Sequence, residues 1–259
     1  MTDSTATQCL WFPEIFAKPV VLESDQRQGS SDGGAVLPKA AERRYGLIAG
    51  MSECLVDPRQ AGKVDHSLPD LFAQRVFSIG CGYADANDSA RLASDPMHKM
   101  LLDRDPVTGL DMASQPTLSR FENAVGPRRL YSMGAALAES VIERHARRLC
   151  NCARLAAIDL DPTGDPTHGA QQLSFFNSHY SNTCYLPMMG FVTVNNEAEQ
   201  YLCAAVLRPG NVTAAGTAGI LRRFMALIRG SFPKARIRVR LDGGFEIQNC
   251  WHFWMRGRR

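Results

Sequence analysis

Residues 154–161 read RLAAIDLD and residues 236–242 read RIRVRLD. In the first stretch Ala156, Ile158 and Leu160 fall on one side of an extended chain, with Ala157, Asp159 and Asp161 on the other. In the second, Arg236, Arg238 and Arg240 share one side, and the strand closes on Asp242 before Gly243-Gly244. Two more strand-like runs lie between them, Tyr185 to Val194 (YLPMMGFVTV) and Tyr201 to Leu207 (YLCAAVL), parted by the polar NNEAEQ. A helix is expected from about Thr213 to Arg229, with Ala214, Ala218, Leu221, Met225 and Ile228 as its apolar stripe. Arg222, Arg223 and Arg229 lie largely off that stripe, and Gly230 and Pro233 serve as stop signals. The order is strand, strand, strand, helix, strand. A helical crossover returns the fourth strand parallel to the first.

If the fourth strand lies beside the first, Asp161 and Asp242 stand together at adjacent C-terminal strand ends, where open α/β sheets place their chemistry. Two carboxylates so close need a cation between them. Mg²⁺ takes hard oxygen ligands of this kind, and paired ions support phosphodiester chemistry. Asp159 and Asp165 are weaker substitutes for this role. An Asp that merely closes a strand as a turn or cap residue has the same local pattern, so spacing leaves both readings open.

Upstream, residues 37–150 read as helical. LPDLFAQRVFSIGCGY and GAALAESVIERHARRL place apolar residues three and four apart, and VDPRQAGK, SDPMHK and RDPVTG break the pattern. Residues 1–36 form a polar N-terminal segment containing the loop-like QRQGSSDGG. The whole is therefore expected to be α+β: a helical N-terminal region, then a mixed sheet over 151–245, then a basic tail at 246–259.

The 259 residues are 45% apolar and 21% charged, which excludes a disordered, collagenous or coiled-coil chain. No apolar run reaches the ~18 residues of a membrane span. MTDSTATQCLWF has no basic n-region followed by an apolar core, so a cytoplasmic location is expected. The net charge of +3 hides an asymmetry: residues 200–259 carry 11 Lys/Arg against two acids, Asp242 and Glu246. Arginine, 24 of the 29 basic residues, pairs bidentately with phosphate, so a nucleic-acid surface is one reading and a solvated basic face the other. Arg236, Arg238 and Arg240 on one strand face suggest a phosphate track. Arg222, Arg223 and Arg120 (in Ser119-Arg120-Phe121-Glu122) complete the candidate DNA contacts. Of the eight cysteines only Cys150 and Cys152 are close, without the second pair a zinc site needs; Cys184 and Cys203 read as core. His168 and His179 flank the Asp161 block, eleven residues apart, as loop histidines. Serine-nucleophile, P-loop and dinucleotide motifs are missing from the sequence.

The blocks IDLDPTGDPTHGAQQLSFFNSHYSNTCYLP, LRPGNV and RIRVRLDGGF resemble the group-1 DDE transposases of bacterial insertion sequences. SSDGGAVLPKAAERRYGL, DPRQAGKVDHSLPDLFAQRVFSIGCGYADANDSARLASDP and SQPTLSRFEN are similar to that family's N-terminal region, so the resemblance runs through most of 12–245. It implies an RNase H-like catalytic fold, two Mg²⁺ ions, and cutting and joining of double-stranded DNA at insertion-sequence ends. By position, Asp161 matches the family's first catalytic carboxylate and Asp242 the second. The third lies further along in the family, on a helix. EIQNCWHFWMRGRR, after Phe245, departs from the pattern expected, and Glu246 is too near Asp242 to substitute.

The resemblance thus implies a nucleoid-associated transposase, as a truncated or frameshifted copy or as a functional short form. The alternative is a binding-only protein that occupies element ends and interferes with intact transposase. Expected partners are end DNA and a second copy or an intact transposase.

Overall fold

The computed structural model describes residues 10–11, 15–18, 20–22, 29–212 and 216–241. Asp242, Glu246, Ala214 and the tail at 246–259 lie outside the described residues. The chain divides into two compact units, Met1–Met133 and Gly134–Arg259.

In the first unit β1 (Leu10–Trp11) pairs antiparallel with β2 (Val21–Leu22), followed by α1 (Val36–Tyr45), α2 (Leu47–Ser52), α3 (Leu68–Gly80), α4 (Ser89–Leu92), α5 (Pro96–Leu101) and α6 (Gln115–Ala124). The β1–β2 pair falls in the stretch read as a polar segment; two-residue strands are too short for any alternation to register. The Asp, Ser and Pro breaks act as helix starts. Ser67 accepts from the Asp70 N–H at 3.2 Å and Asp95 from the His98 N–H at 3.0 Å, each with a proline in the first turn. Phe16, Val36, Ile48, Phe77, Met97 and Leu101 form one apolar cluster, and Leu71, Ala113, Leu118 and Phe121 another.

Polar side chains from the distinctive N-terminal blocks tie these clusters together. Lys39 Nζ, buried, donates to Leu101 O at 2.7 Å and to Asp103 at 2.8 Å. The Gln74 amide exchanges two 2.9 Å bonds with the Ala113 backbone. His98 Nε2 and Tyr83 Oη both donate to Asp32, at 2.9 and 3.0 Å. Lys39, Gln74 and His98 are thus buried with partners, as burial demands.

α7 (Pro127–Arg148) begins in the first unit and gives Ala138, Ile142 and Ala146 to the core of the second. Then come β3 (Leu155–Pro162), β4 (Asp165–Pro166), β5 (Phe175–Asn177), β6 (Asn182–Tyr185), β7 (Met188–Val194), β8 (Tyr201–Val206), α8 (Thr217–Ser231) and β9 (Arg236–Leu241). The main sheet has the order β8-β7-β3-β9, with β3–β7 and β7–β8 antiparallel and β3–β9 parallel. This is the α+β order expected from the periodicity and the crossover rule, and it agrees with the RNase H-like fold that the family resemblance implies. Its covered face carries Ala156, Ile158 and Leu160 of β3 against Leu221, Phe224 and Ile228 of α8.

Three local details differ from expectation. The run 185–194 is not one strand. It breaks at Leu186-Pro187, with β6 joining β4 and β5 in a separate three-stranded sheet and β7 joining the main one. Pro187 has no N–H to carry a ladder through, and Leu186 instead bonds Arg208 through its N–H and its carbonyl, both at 3.0 Å. The α8 stripe is centred on Phe224, wholly buried, rather than on half-buried Met225, and Gly230 lies inside the last turn. Gly190 allows that packing: a Cβ there would stand 3.0 Å from the Phe224 ring. Among the described residues no helix is long and apolar enough to cross a membrane.

Candidate active site

Asp161 is the last residue but one of β3 and is exposed. It shares a strand face with Asp159, opposite the face that α8 covers. β9 runs parallel alongside in a register that sets Asp159 against Arg240 and Leu160 against Leu241. The described pairing therefore ends at the residues that immediately precede Asp161 and Asp242 in sequence.

Asp159 is already committed. The Arg240 guanidinium grips both of its oxygens, Nη2 to Oδ2 at 2.6 Å and Nε to Oδ1. This fork-on-carboxylate pair closes the sheet face between β3 and β9, and the hydrogen bond to Asp159 raises the Arg240 pKa. Asp161 has no ion pair among the described residues. Its oxygens are therefore not engaged by a cationic side chain among the described residues, whereas those of Asp159 are taken up by Arg240. Asp165 sits on β4 in the small sheet, exposed.

The backbone beyond Asp161 is held from two sides. The Thr163 N–H donates to Pro187 O at 3.0 Å, and Tyr180 Oη donates to Pro162 O at 3.0 Å. The Tyr180 ring lies on Gly164, where a Cβ would stand 2.8–3.0 Å from its carbons. His179 packs edge-on against that ring, with centroids 4.8 Å apart. Sequence reasoning passed over Tyr180 and Gly164. The signal available was an aromatic in a polar stretch otherwise read as loop. His168 is exposed, and its carbonyl accepts from Gln171 at 3.3 Å.

Arg236 and Arg238 are exposed on the β3–β9 face, beside the committed Arg240. On α8, Arg222 is exposed while Arg223 is half-buried with its Nε inside the protein. Arg120 belongs to the first unit, exposed on α6, and donates to Thr117 Oγ1 at 3.3 Å. Cys184 and Cys203 are fully buried, and burial pushes the Cys203 thiol up to about 12. No cluster of three or more His, Cys, Asp or Glu side chains placed for a metal occurs among the described residues.

Residues 12–258 match the family described as Transposase DDE domain group 1. The matched span includes 246–258, the stretch set apart above as departing from the family pattern. No curated protein and no solved structure matches the chain. The match covers nearly the whole sequence, and the mixed α+β fold is consistent with it: the chain belongs to the group-1 DDE transposase family.

Proposed function

We propose that the second unit carries a transposase site for metal-dependent cleavage and strand transfer of DNA ends, with Asp161 and Asp242 as the carboxylates that hold Mg²⁺. One observation carries this reading. The parallel β3–β9 register runs to Leu160 opposite Leu241, so both candidate carboxylates follow directly on paired residues. When bound, such ions would activate the attacking oxygen and stabilise the leaving one.

The chain's own part is to hold Asp161 still. Main-chain pairing to Met189, the Thr163–Pro187 bond and the Tyr180 clamp leave its strand end little freedom. Arg236 and Arg238, exposed on the same strand face and in no ion pair among the described residues, would meet phosphates of an incoming strand. The Asp159–Arg240 pair keeps a third acid beside Asp161 from competing for the metal.

A second reading, binding of DNA ends without cleavage, draws on that same pair: the acid nearest Asp161 on its strand is unavailable as a further ligand. The test is cleavage of insertion-sequence end DNA with Mg²⁺ or Mn²⁺. Under the first reading, cleavage occurs and Asp161→Asn or Asp242→Asn lowers it by about 10³-fold or more, as loss of a metal ligand should. Salt-sensitive binding with no cleavage in either metal selects the second reading.

A further inference from the structure

A cavity of about 700 Å³ lies within the first unit, between the 54–68 segment and α6, and includes the start of α7. That is an ordinary size for a small-molecule site. Its floor is apolar, with Leu71, Met112 and Phe121 all buried. Its remaining lining includes Arg59, Lys63, Arg120 and Arg129 against a single acid, Asp65. The first unit as a whole has the opposite sign, with 14 basic and 17 acidic residues over 1–133. The cations are therefore concentrated here against the unit's own charge.

Three of the four are not neutralised. Asp57 holds Arg59 bidentately, at 2.7 and 2.6 Å. Lys63, Arg120 and Arg129 take part in no ion pair among the described residues. Ser114, Thr117 and His66 also line the cavity and supply donors and acceptors beside the apolar floor. Burial, with Arg104 nearby, lowers the His66 pKa, so near pH 7 its ring is neutral; Nδ1 accepts from Arg104 Nη2 at 3.4 Å, which leaves Nε2–H as a donor.

A flat apolar body with hydrogen-bonding edges, joined to a phosphate, matches this lining: base over Phe121 and Met112, phosphate toward Lys63, Arg120 and Arg129. We infer that this cavity is a nucleotide seat. The inference rests on reading the chain as a DNA-handling protein. The same chemistry comes either from a nucleotide at an unpaired DNA strand end or from a free nucleotide.

The test uses the full chain in EDTA, where no cleavage occurs, so its failure is separate from failure of the cleavage reading. Fluorescence titration with a mant-labelled dATP is followed by competition with a duplex bearing a 3′ single-stranded extension and with a blunt duplex of equal length. Saturable dATP binding is expected. The double variant Lys63→Gln/Arg120→Gln should weaken it by about tenfold or more, as loss of a charge-assisted contact would. Ala124→Phe, which fills the cavity from an exposed lining position and leaves every charge in place, should weaken it comparably. Arg43→Gln, on the exposed side of α1, should have no effect.

Competition by the extended but not the blunt duplex assigns the seat to a strand end, and competition by neither assigns it to a free nucleotide. Three results overturn the inference: no saturable binding, parental affinity in Ala124→Phe, or equal losses in Arg43→Gln and the double variant. Circular dichroism of each variant confirms that it is folded.

Discussion

Gly164→Ala tests how the strand end behind Asp161 is held. Gly164 has a φ outside the left-handed region, so alanine suits its backbone. By itself the change would restrict the unfolded chain and stabilise the protein by ~0.4–1 kcal/mol. The added Cβ, however, would stand 2.8 Å from Tyr180 Cδ1, 2.9 Å from Cγ and 3.0 Å from Cε1, inside van der Waals contact on three ring atoms. The ring cannot slide away freely, because its hydroxyl is bonded to Pro162 O at 3.0 Å. Overpacking of this kind costs ~1–3 kcal/mol, and losing the hydroxyl bond adds ~0.5–1.5 kcal/mol. The expected net is a destabilisation of ~0.5–4 kcal/mol, the overpacking and lost hydrogen bond together exceeding the backbone gain.

The control is the same substitution in a Tyr180→Ala background. With the ring gone, Gly164→Ala should be neutral or stabilising by ~0.4–1 kcal/mol, so its sign reverses. Urea melts followed by circular dichroism give the free energies, and hydrogen exchange of peptides from 155–185 assigns the change to the second unit. Equal destabilisation by Gly164→Ala in both backgrounds would refute the Tyr180 clamp.

Phe224→Ala should cost ~3–5 kcal/mol, since the ring is 0% exposed at the centre of the α8–sheet core; a loss below about 1 kcal/mol in the same melts would mean that α8 does not seal that face. A pH prediction follows from His145, which is buried and accepts from Arg148 Nη2 at 2.9 Å. Burial, then the Arg148 charge, lowers its pKa below the ordinary 6.5, so the unfolded chain binds the proton first. This contribution to stability is fully present above about pH 6.5 and is lost as pH falls below it. Thermal melts between pH 7.5 and 5 should show that decline, and His145→Gln should flatten it; an unchanged slope in the variant would assign the decline to other groups.

The fold was legible where the pattern is local. Alternation over 154–161 and 236–241 specified two strands and their buried faces, and the intervening helix required them to be parallel. The helical period of the first unit was equally plain, because apolar residues at three- and four-residue spacing have one way to be buried together. The break at Pro187 was visible as a residue without an N–H, but not its result, a second sheet built from two- to four-residue strands. Asp161 could be singled out because it stands near the end of a strand whose neighbour is deducible, and Asp242 because it follows the last residue of that neighbour in sequence.

The sequence alone indicated the chain order of the main sheet's strands and of the helix before its last strand, because a period of two or of 3.6 residues converts directly into which face is buried. Tertiary structure decided how the side chains are used. The row Arg236, Arg238, Arg240 is uniform in sequence, yet Arg240 is bound to an aspartate 81 residues away while its two neighbours face solvent. Tyr180 clamps the chain after Asp161 only because the β5–β6 hairpin brings it onto Gly164. The cations around the first unit's cavity come from separate segments, at residues 59–63, 120 and 129. Pairings of this kind depend on distances between segments that no local periodicity encodes.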